Sequence, residues 1–376
     1  MASTPTLTLA NPTEAERIRL AEGTFPQWGG GLDIKTYLAR ETDSIGPLNR
    51  DGGLQGWLLT EAGAAPDHRP LLTSCDTLRK RALVRESDGS VRDVLAQGVA
   101  SVFTPEQQRG KGYAGRMMGL LSETLKARAN EEGDQQALFS ILFSDVGKEI
   151  YAKRGWKALE STHLKFPVDA ARDYPVSPDV KYITKADISE LTAIDEKLLR
   201  QRLASQPQET GRTQVAIIPD ENHMLWHFAR EDLKAQNLWP SVPLPDIHGA
   251  IVTVPSSKSR VWALWSRKLR SEDVSKNSVY FLRLVVESPE KVSDEEFDEA
   301  LEKIVDSARQ YAKENHCGKV QCWTPDKRTR AAVEKRPGLE AEYVVRESDS
   351  IVSLNWFGEG SVDDVDWVIP EQYTWC

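Results

Sequence analysis

The chain has 376 residues, 40% hydrophobic and 28% charged, which is the composition of a soluble globular protein with apolar material for two cores and no need of a disulfide or metal staple. A formal net charge of −9 and a pI near 5.4 repel phosphate backbones and make nucleic acid a poor partner, although a local basic loop can still hold a small anion. The four cysteines (Cys75, Cys317, Cys322 and Cys376) form no CxxC pair, and the chain shows neither a secretory leader nor an apolar run of about 18 residues, so a reduced, cytoplasmic setting away from membranes is expected.

In chain order, Leu7 to Ala10 reads as a short strand, and Asn11-Pro12-Thr13-Glu14 as the turn into a helix over 13–22. Gly23 to Gly31 reads as loop, and 33–41 as a second helix. Gly56 to Thr60 reads as a strand, and Leu71 to Ser74 and Arg81 to Arg85 as strand material around a loop. Asp93 to Phe103 is a longer strand, rich in Val and small residues. In the next helix Ala114, Met117, Met118, Leu121 and Leu125 keep a helical period, and Gly133 marks its stop. Ala137 to Phe143 is a buried strand, Lys148 to Arg154 a short helix ending at Gly155, and Trp156 to Phe166 strand again.

The prolines of 167–178 mark a linker, which gives domains at 1–168 and 181–376 joined by 169–180. The second half reads as helices at 186–204 and 222–235, then strands at 248–254, 260–268 and 279–287. An amphipathic helix over 294–315, a strand at 319–323, a short helix at 326–335 and strands near 340–346 and 350–356 complete it. Both halves run strands, long helix, strand, short helix, strands. This is either a structural duplication or the ordinary order of an α/β domain.

One loop carries chemistry. Arg109-Gly110-Lys111-Gly112-Tyr113-Ala114 fits R/Q-x-x-G-x-G/A, follows a strand directly and opens a helix. A pyrophosphate needs several backbone N–H groups at a helix mouth, and glycines let the backbone approach. A glycine loop alone also suits an ordinary strand-to-helix turn. Its context here includes a second run, Asp145-Val146-Gly147-Lys148-Glu149-Ile150-Tyr151-Ala152-Lys153-Arg154-Gly155-Trp156, after the intervening strand. On these two motifs and their separation the chain resembles the GNAT N-acetyltransferase superfamily.

The resemblance implies an α/β GNAT fold with a splayed mixed sheet, and acetyl-CoA as cosubstrate with no metal. Val102 and Phe103 would pair with the pantetheine arm, and Arg109, Gly110, Lys111, Gly112, Tyr113 and Ala114 would hold the pyrophosphate. Tyr151 would protonate the leaving thiolate; the plain alternative is an aromatic core residue. The strand 96–103 lacks the glutamate base of many protein-modifying relatives, and Ser144 and Asp145 stand near by position, although Asp145 equally suits a helix cap. His223 and His227 have a metal-ligand spacing but no acidic or thiol partner in view, which favours packing. The segment Ser288 to Ser293, where a second phosphate loop would fall, has no glycine and carries Glu290, so the second half reads as a GNAT-like domain without the CoA loop.

Over both halves the chain is similar to the fungal lysine N6-acetyltransferases. The carriers are LxLANPTEAER, Gly29 to Glu41, the Pro105-to-Ala114 loop, FSDVG…Y…GW and the ending Trp367 to Cys376. This similarity implies a small amine acceptor, free L-lysine, in lysine degradation. Glu22, Trp28, Tyr37 and Glu41 border the expected acceptor side, and the ending Tyr373-Thr374-Trp375-Cys376 either docks into the first domain at the acceptor or is a final packed strand. The second domain would wall the acceptor site or join two chains in a homodimer. The rivals are a protein-lysine, polyamine or aminoglycoside acetyltransferase, and an acetyl-CoA-binding sensor without turnover.

Overall fold

A computed structural model describes residues 5–42, 46–129, 137–205 and 211–376; the expected helix stop at Gly133 lies outside them. The first half runs β1 (Leu7–Ala10), α1 (Glu14–Trp28), α2 (Ile34–Thr42), β2 (Leu54–Glu61), β3 (Thr73–Arg85), β4 (Val91–Phe103), α3 (Tyr113–Ala129), β5 (Ala137–Ser144), α4 (Glu149–Ala152), β6 (Lys157–Ala158) and β7 (Thr162–Pro167). The second runs β8 (Val180–Ile183), α5 (Ile188–Ser205), β9 (Thr213–Ile217), α6 (Glu221–Leu238), β10 (Gly249–Thr253), β11 (Arg260–Lys268), β12 (Ser278–Val286), α7 (Asp294–Glu314), β13 (Lys319–Trp323), α8 (Lys327–Glu334), β14 (Glu342–Val345), β15 (Ile351–Trp356) and β16 (Val365–Trp367).

Two expectations are corrected. The helix α1 does not stop at residue 22 but continues through Pro26 to Trp28. Proline removes one hydrogen bond, and near a helix end that loss is tolerated; the Gly29 N–H donating to the Phe25 carbonyl closes the last turn. The loop expected between residues 74 and 81 is instead the middle of one long strand, β3. Its polar pattern hides the strand, because Lys80 and Arg85 are buried there despite their charge.

The strands form two mixed sheets. The first has the order β1-β2-β3-β4-β5-β15-β6, with β9 added on β3 and β16 on β9; the second has the order β14-β7-β13-β12-β11-β10-β8. In each sheet an antiparallel set meets a parallel neighbour, β4 beside β5 and β12 beside β13, and the first sheet also pairs β16 parallel to β9. The next strand is exchanged between the halves. β5 pairs antiparallel with β15 from the end of the chain, and β13 pairs antiparallel with β7 from before the linker. Strands therefore cross the expected boundary at 168–181 in both directions.

The exchange fuses the cores. One cluster joins Val84, Phe139 and Ile141 of the first half to Trp262, Leu264, Val352 and Leu354 of the second. A buried ion cluster sits at the same junction. Arg283 on β12 donates to both carboxylate oxygens of Asp195 on α5 at 2.7 Å and to Glu371 at 2.5 Å. Over the first sheet, the apolar face of α3 (Met117, Met118, Leu121 and Leu125) packs on Trp57, Val99, Leu142 and Trp156. Ser122 on that helix accepts a hydrogen bond at 2.7 Å from Asn355 of β15.

Neither half completes its sheet alone, so the whole chain is expected to unfold in one transition. Calorimetry and near-ultraviolet circular dichroism should give coincident midpoints; two separated transitions would contradict the exchange as the source of cooperativity.

Candidate active site

The site begins where β4 and β5 part. They pair in parallel from Leu95↔Ala137 to Val99↔Leu142, and no pair follows, although β4 runs on to Phe103 and β5 to Ser144. On its other side β4 bulges. Asp76 of β3 faces Ala100 while Ser74 faces Phe103, so Ser101 and Val102 together oppose Cys75 alone. Ser101 has φ +55°, in the left-handed region. A bulge bends its strand and re-aims the following residues. The backbone of 100–103 therefore turns from β5 with unpaired groups, which need a partner from outside the sheet.

After β4 comes the glycine loop. Gly110 and Gly112 both have φ +76°, and a Cβ built on either meets nothing within 4 Å. The loop thus holds a left-handed backbone in open space before α3, which has no acidic residue in its first turn. Arg109, Gly110, Lys111 and Gly112 are exposed; Tyr113 and Ala114 are half-buried. Arg109 Nε donates to the Thr104 carbonyl at 3.1 Å, and Lys111 Nζ to Gln108 at 3.0 Å. The corresponding helix of the second half, α7, is closed. Ser293 caps it, Glu296 returns a hydrogen bond to the cap, and Asp294, Glu295 and Glu296 crowd its first turn. An anion fits the start of α3, and its counterpart on α7 is already filled by the protein's own acidic groups. These residues fit the diphosphate and the amide-bearing arm of a CoA thioester.

The β4–β5 gap opens into a cavity of about 670 Å³ lined by both halves. Of the residues singled out in the sequence, Val102, Trp28, Glu41, Asp145, Tyr151 and Cys376 line it. Glu22 is exposed and lies off it. Tyr37 is fully buried, with its hydroxyl 2.6 Å from Thr24 Oγ1 and its ring against Phe25, so it is a core residue of the α1–α2 pair. Phe103 is buried with its ring edge-to-face on Trp28 at 5.6 Å and does not line the cavity either, nor do residues 109–114.

Tyr151 is half-buried on α4. Burial first, then nearby Cys75 and Asp145, push its hydroxyl up to about 12, so it keeps its proton at neutral pH. Asp145 accepts from the Ser350 N–H at 2.9 Å across the exchanged strand, and its carboxyl is raised by desolvation and by neighbouring Asp349. The Ser144 hydroxyl is engaged locally, donating to the Gly147 carbonyl at 2.6 Å. The C-terminal segment is held by the second half and reaches the first at its last residue. Tyr373 donates to the Ile217 carbonyl at 2.6 Å and Trp375 lies 6.0 Å from Trp226, while Cys376 Sγ approaches the Val99 carbonyl of β4 at 4.0 Å. Gly98 permits that approach, because a Cβ there would meet Cys376 Sγ and Lys80 Cε, each at 2.7 Å.

The sequence reading missed Asp76. It lines the cavity beside the bulge, and desolvation first, with the nearby Glu41 carboxylate second, raises its carboxyl to about 6, against a lowering hydrogen bond from Ser101. No linear motif marks it; the strand it occupies reads as a loop. The two helix histidines face inward. His223 Nδ1 lies 2.8 Å from Asp220, and His227 Nε2 lies 3.2 Å from the Tyr373 carbonyl. Among the described residues no group of three His, Cys, Asp or Glu is placed to hold a metal ion, and no helix is long and apolar enough to cross a membrane.

Residues 163–376 match the family described as the LYC1 GNAT-like C-terminal domain. The chain belongs to that family. It is 27% identical over 263 residues to a protein of Yarrowia lipolytica named lysine acetyltransferase, which covers 60% of this chain and 64% of that one. An uncharacterized protein of Saccharomyces cerevisiae is 25% identical over 240 residues, 56% of this chain and 60% of that one. The chain thus spans a little under two thirds of these curated relatives. Among solved structures, a probable N-acyltransferase of Enterococcus faecalis superposes with TM-score 0.50 at 11% identity, covering 94% of this chain and 72% of that one. The N-myristoyltransferase of Saccharomyces cerevisiae, solved with myristoyl-CoA, gives TM-score 0.51 at 10% identity, 94% of this chain and 81% of that one. At these identities the structures bear on the fold alone.

The open space around Gly112 isolates the backbone effect of a substitution there. Gly112→Ala adds a side chain that clashes with nothing but disfavours φ +76° by roughly 1 kcal/mol or more. It should weaken CoA binding about tenfold by isothermal titration calorimetry while leaving the thermal midpoint within a few degrees.

Proposed function

We propose that this chain is an acetyl-CoA-dependent N-acetyltransferase whose acceptor is the ε-amine of free L-lysine, a step of lysine degradation. The observation that carries the reading is the cavity at the β4–β5 gap, which brings together the unpaired backbone of 100–102, Tyr151 and Asp76. The similarity to the Yarrowia lipolytica lysine acetyltransferase supports the acceptor. Four unpaired cysteines suit a reducing compartment such as the cytoplasm.

Acetyl-CoA supplies an activated acyl carbon and a thiolate leaving group. The chain supplies position and proton traffic. The loop 109–114 holds the diphosphate, and the free edge of 100–103 binds the amides of the arm. A lysine ammonium has a pKa near 10.4 and must lose a proton before it can attack. Asp76, raised to about 6, accepts that proton directly or through one water. Tyr151, protonated at neutral pH, donates to the sulfur as the C–S bond breaks. Both proton transfers are then internal to one cavity, and the acetyl group passes directly from sulfur to nitrogen with no acyl-enzyme.

Thiol release with L-lysine, a histone-tail peptide and spermidine tests the acceptor. L-Lysine should turn over, and Tyr151→Phe should lower kcat by about 10²-fold. Turnover of peptide or spermidine instead would overturn the lysine reading, and acetyl-CoA binding without thiol release on any of the amines would make the chain a sensor.

The base has its own signature. An ordinary aspartate stays ionised down to about pH 4, whereas a carboxyl at about 6 protonates earlier. The kcat/KM of the wild type should therefore fall tenfold per pH unit below about 6. Asp76→Asn should lower kcat and abolish that limb; an unchanged pH profile in the variant would exclude Asp76 as the base.

A further inference from the structure

The cavity carries more positive charge than its own carboxylates use. Arg17 donates to the Glu41 carbonyl, Arg40 pairs with the Glu41 carboxylate, and Arg267 pairs with Glu231 at 2.5 Å. Lys234 Nζ donates to the carbonyls of Gly29 and Gly30. Further cations line the same cavity without a carboxylate at ion-pair distance among the described residues, including Arg230 on α6 and Lys268 at the end of β11. Arg270 follows them on the exposed side.

Arg230 and Lys268 are held by aromatic faces. The Arg230 guanidinium lies 4.8 Å from the Trp226 ring and 5.8 Å from the Trp375 ring. Lys268 Nζ lies 4.8 Å from Trp375 and 5.9 Å from Tyr280. Trp375 therefore braces both, and the C-terminal segment fixes where they stand. An aromatic face orients a cation but leaves its N–H donors unspent. Desolvation lowers both groups, Lys268 to about 8, against the smaller opposing pull of Glu41 on Arg230 and of Asp145 and Asp349 on Lys268. Such a pair, in a protein of net charge −9, favours an anion that arrives with the ligand. The diphosphate of a CoA thioester has its donors at 110–114, none of which lines this cavity, so the anion belongs to the acceptor.

We propose that Arg230 and Lys268 form a carboxylate subsite for the acceptor, so that the cavity takes an amino acid with its amine toward Asp76 and its carboxylate between these two cations. The planar guanidinium offers a two-pronged contact to a carboxylate, and the ammonium adds a point charge. Asp76, which lines the same cavity, supplies the opposite sign for the amine end. The subsite rests on the acetyl-transfer reading for its purpose, but its binding chemistry is measurable without turnover.

Tryptophan fluorescence reads it directly, since Trp226 and Trp375 flank the cations. The full-length protein with CoA, which cannot transfer, is titrated with L-lysine and with 1,5-diaminopentane, the same chain without the carboxylate. Wild type should bind L-lysine about 10- to 100-fold more tightly, the worth of a charge-assisted contact. Arg230→Gln and Lys268→Met should each cut that ratio several-fold, and Arg230→Lys should restore part of it. Equal affinity of the two ligands in wild type, or an undiminished ratio in variants with native circular dichroism, would overturn the subsite. Parallel thiol-release assays with acetyl-CoA keep the two readings apart. Failure to acetylate any amine sinks the transferase reading, while the affinity ratio still decides the subsite.

Discussion

The structure turns on the point where β4 and β5 stop pairing, after Val99 and Leu142. A parallel pair that continued to Phe103 would close the sheet and leave no cavity. The bulge at Ser101 prevents this by placing two residues of β4 against one of β3. The same bulge gives the divergent strand a free backbone edge, donates a hydrogen bond to Asp76 and leads into the glycine loop. One irregularity in hydrogen bonding thus sets the positions of the unpaired edge, the glycine loop and Asp76.

The exchange of β7 and β15 supports that opening. A sheet that splays on one side needs a firm partner on the other, and β5 finds it in β15, from more than 200 residues later in the chain. Asn355 of that strand reaches Ser122 on α3, so the helix that follows the glycine loop is anchored by the second half. The second half repeats the plan with β12 and β13 but caps its long helix with Ser293 and Glu296. It contributes instead Arg230, Lys268 and the docked C-terminal segment to the wall of the first half's cavity. Division of labour follows from which helix start is left open.

Much of the fold was legible because it is local. The period of Met117, Met118, Leu121 and Leu125 specifies a buried helix face, and the runs 137–143, 260–268 and 350–356 specify buried strands. The strand β3 was not legible. Its charged residues look solvated in sequence, and only the layers on both sides account for the burial of Lys80 and Arg85. Tyr37 was drawn to the acceptor side by its position, but its hydroxyl is spent on Thr24 in the α1–α2 core.

By itself the sequence determined the glycine loop, because Gly110 and Gly112 needed only their neighbours to take a left-handed backbone ahead of a helix. It also placed Tyr151 on the short α4 helix by a contiguous motif. Tertiary structure decided the rest of the site. Asp76, Arg230, Lys268 and Trp375 lie on four separate segments, and the cavity exists only through strand register, bulge and exchange. Local periodicity records which face of an element is buried; it does not record which distant element that face meets, and the acceptor end of this site is made of such meetings.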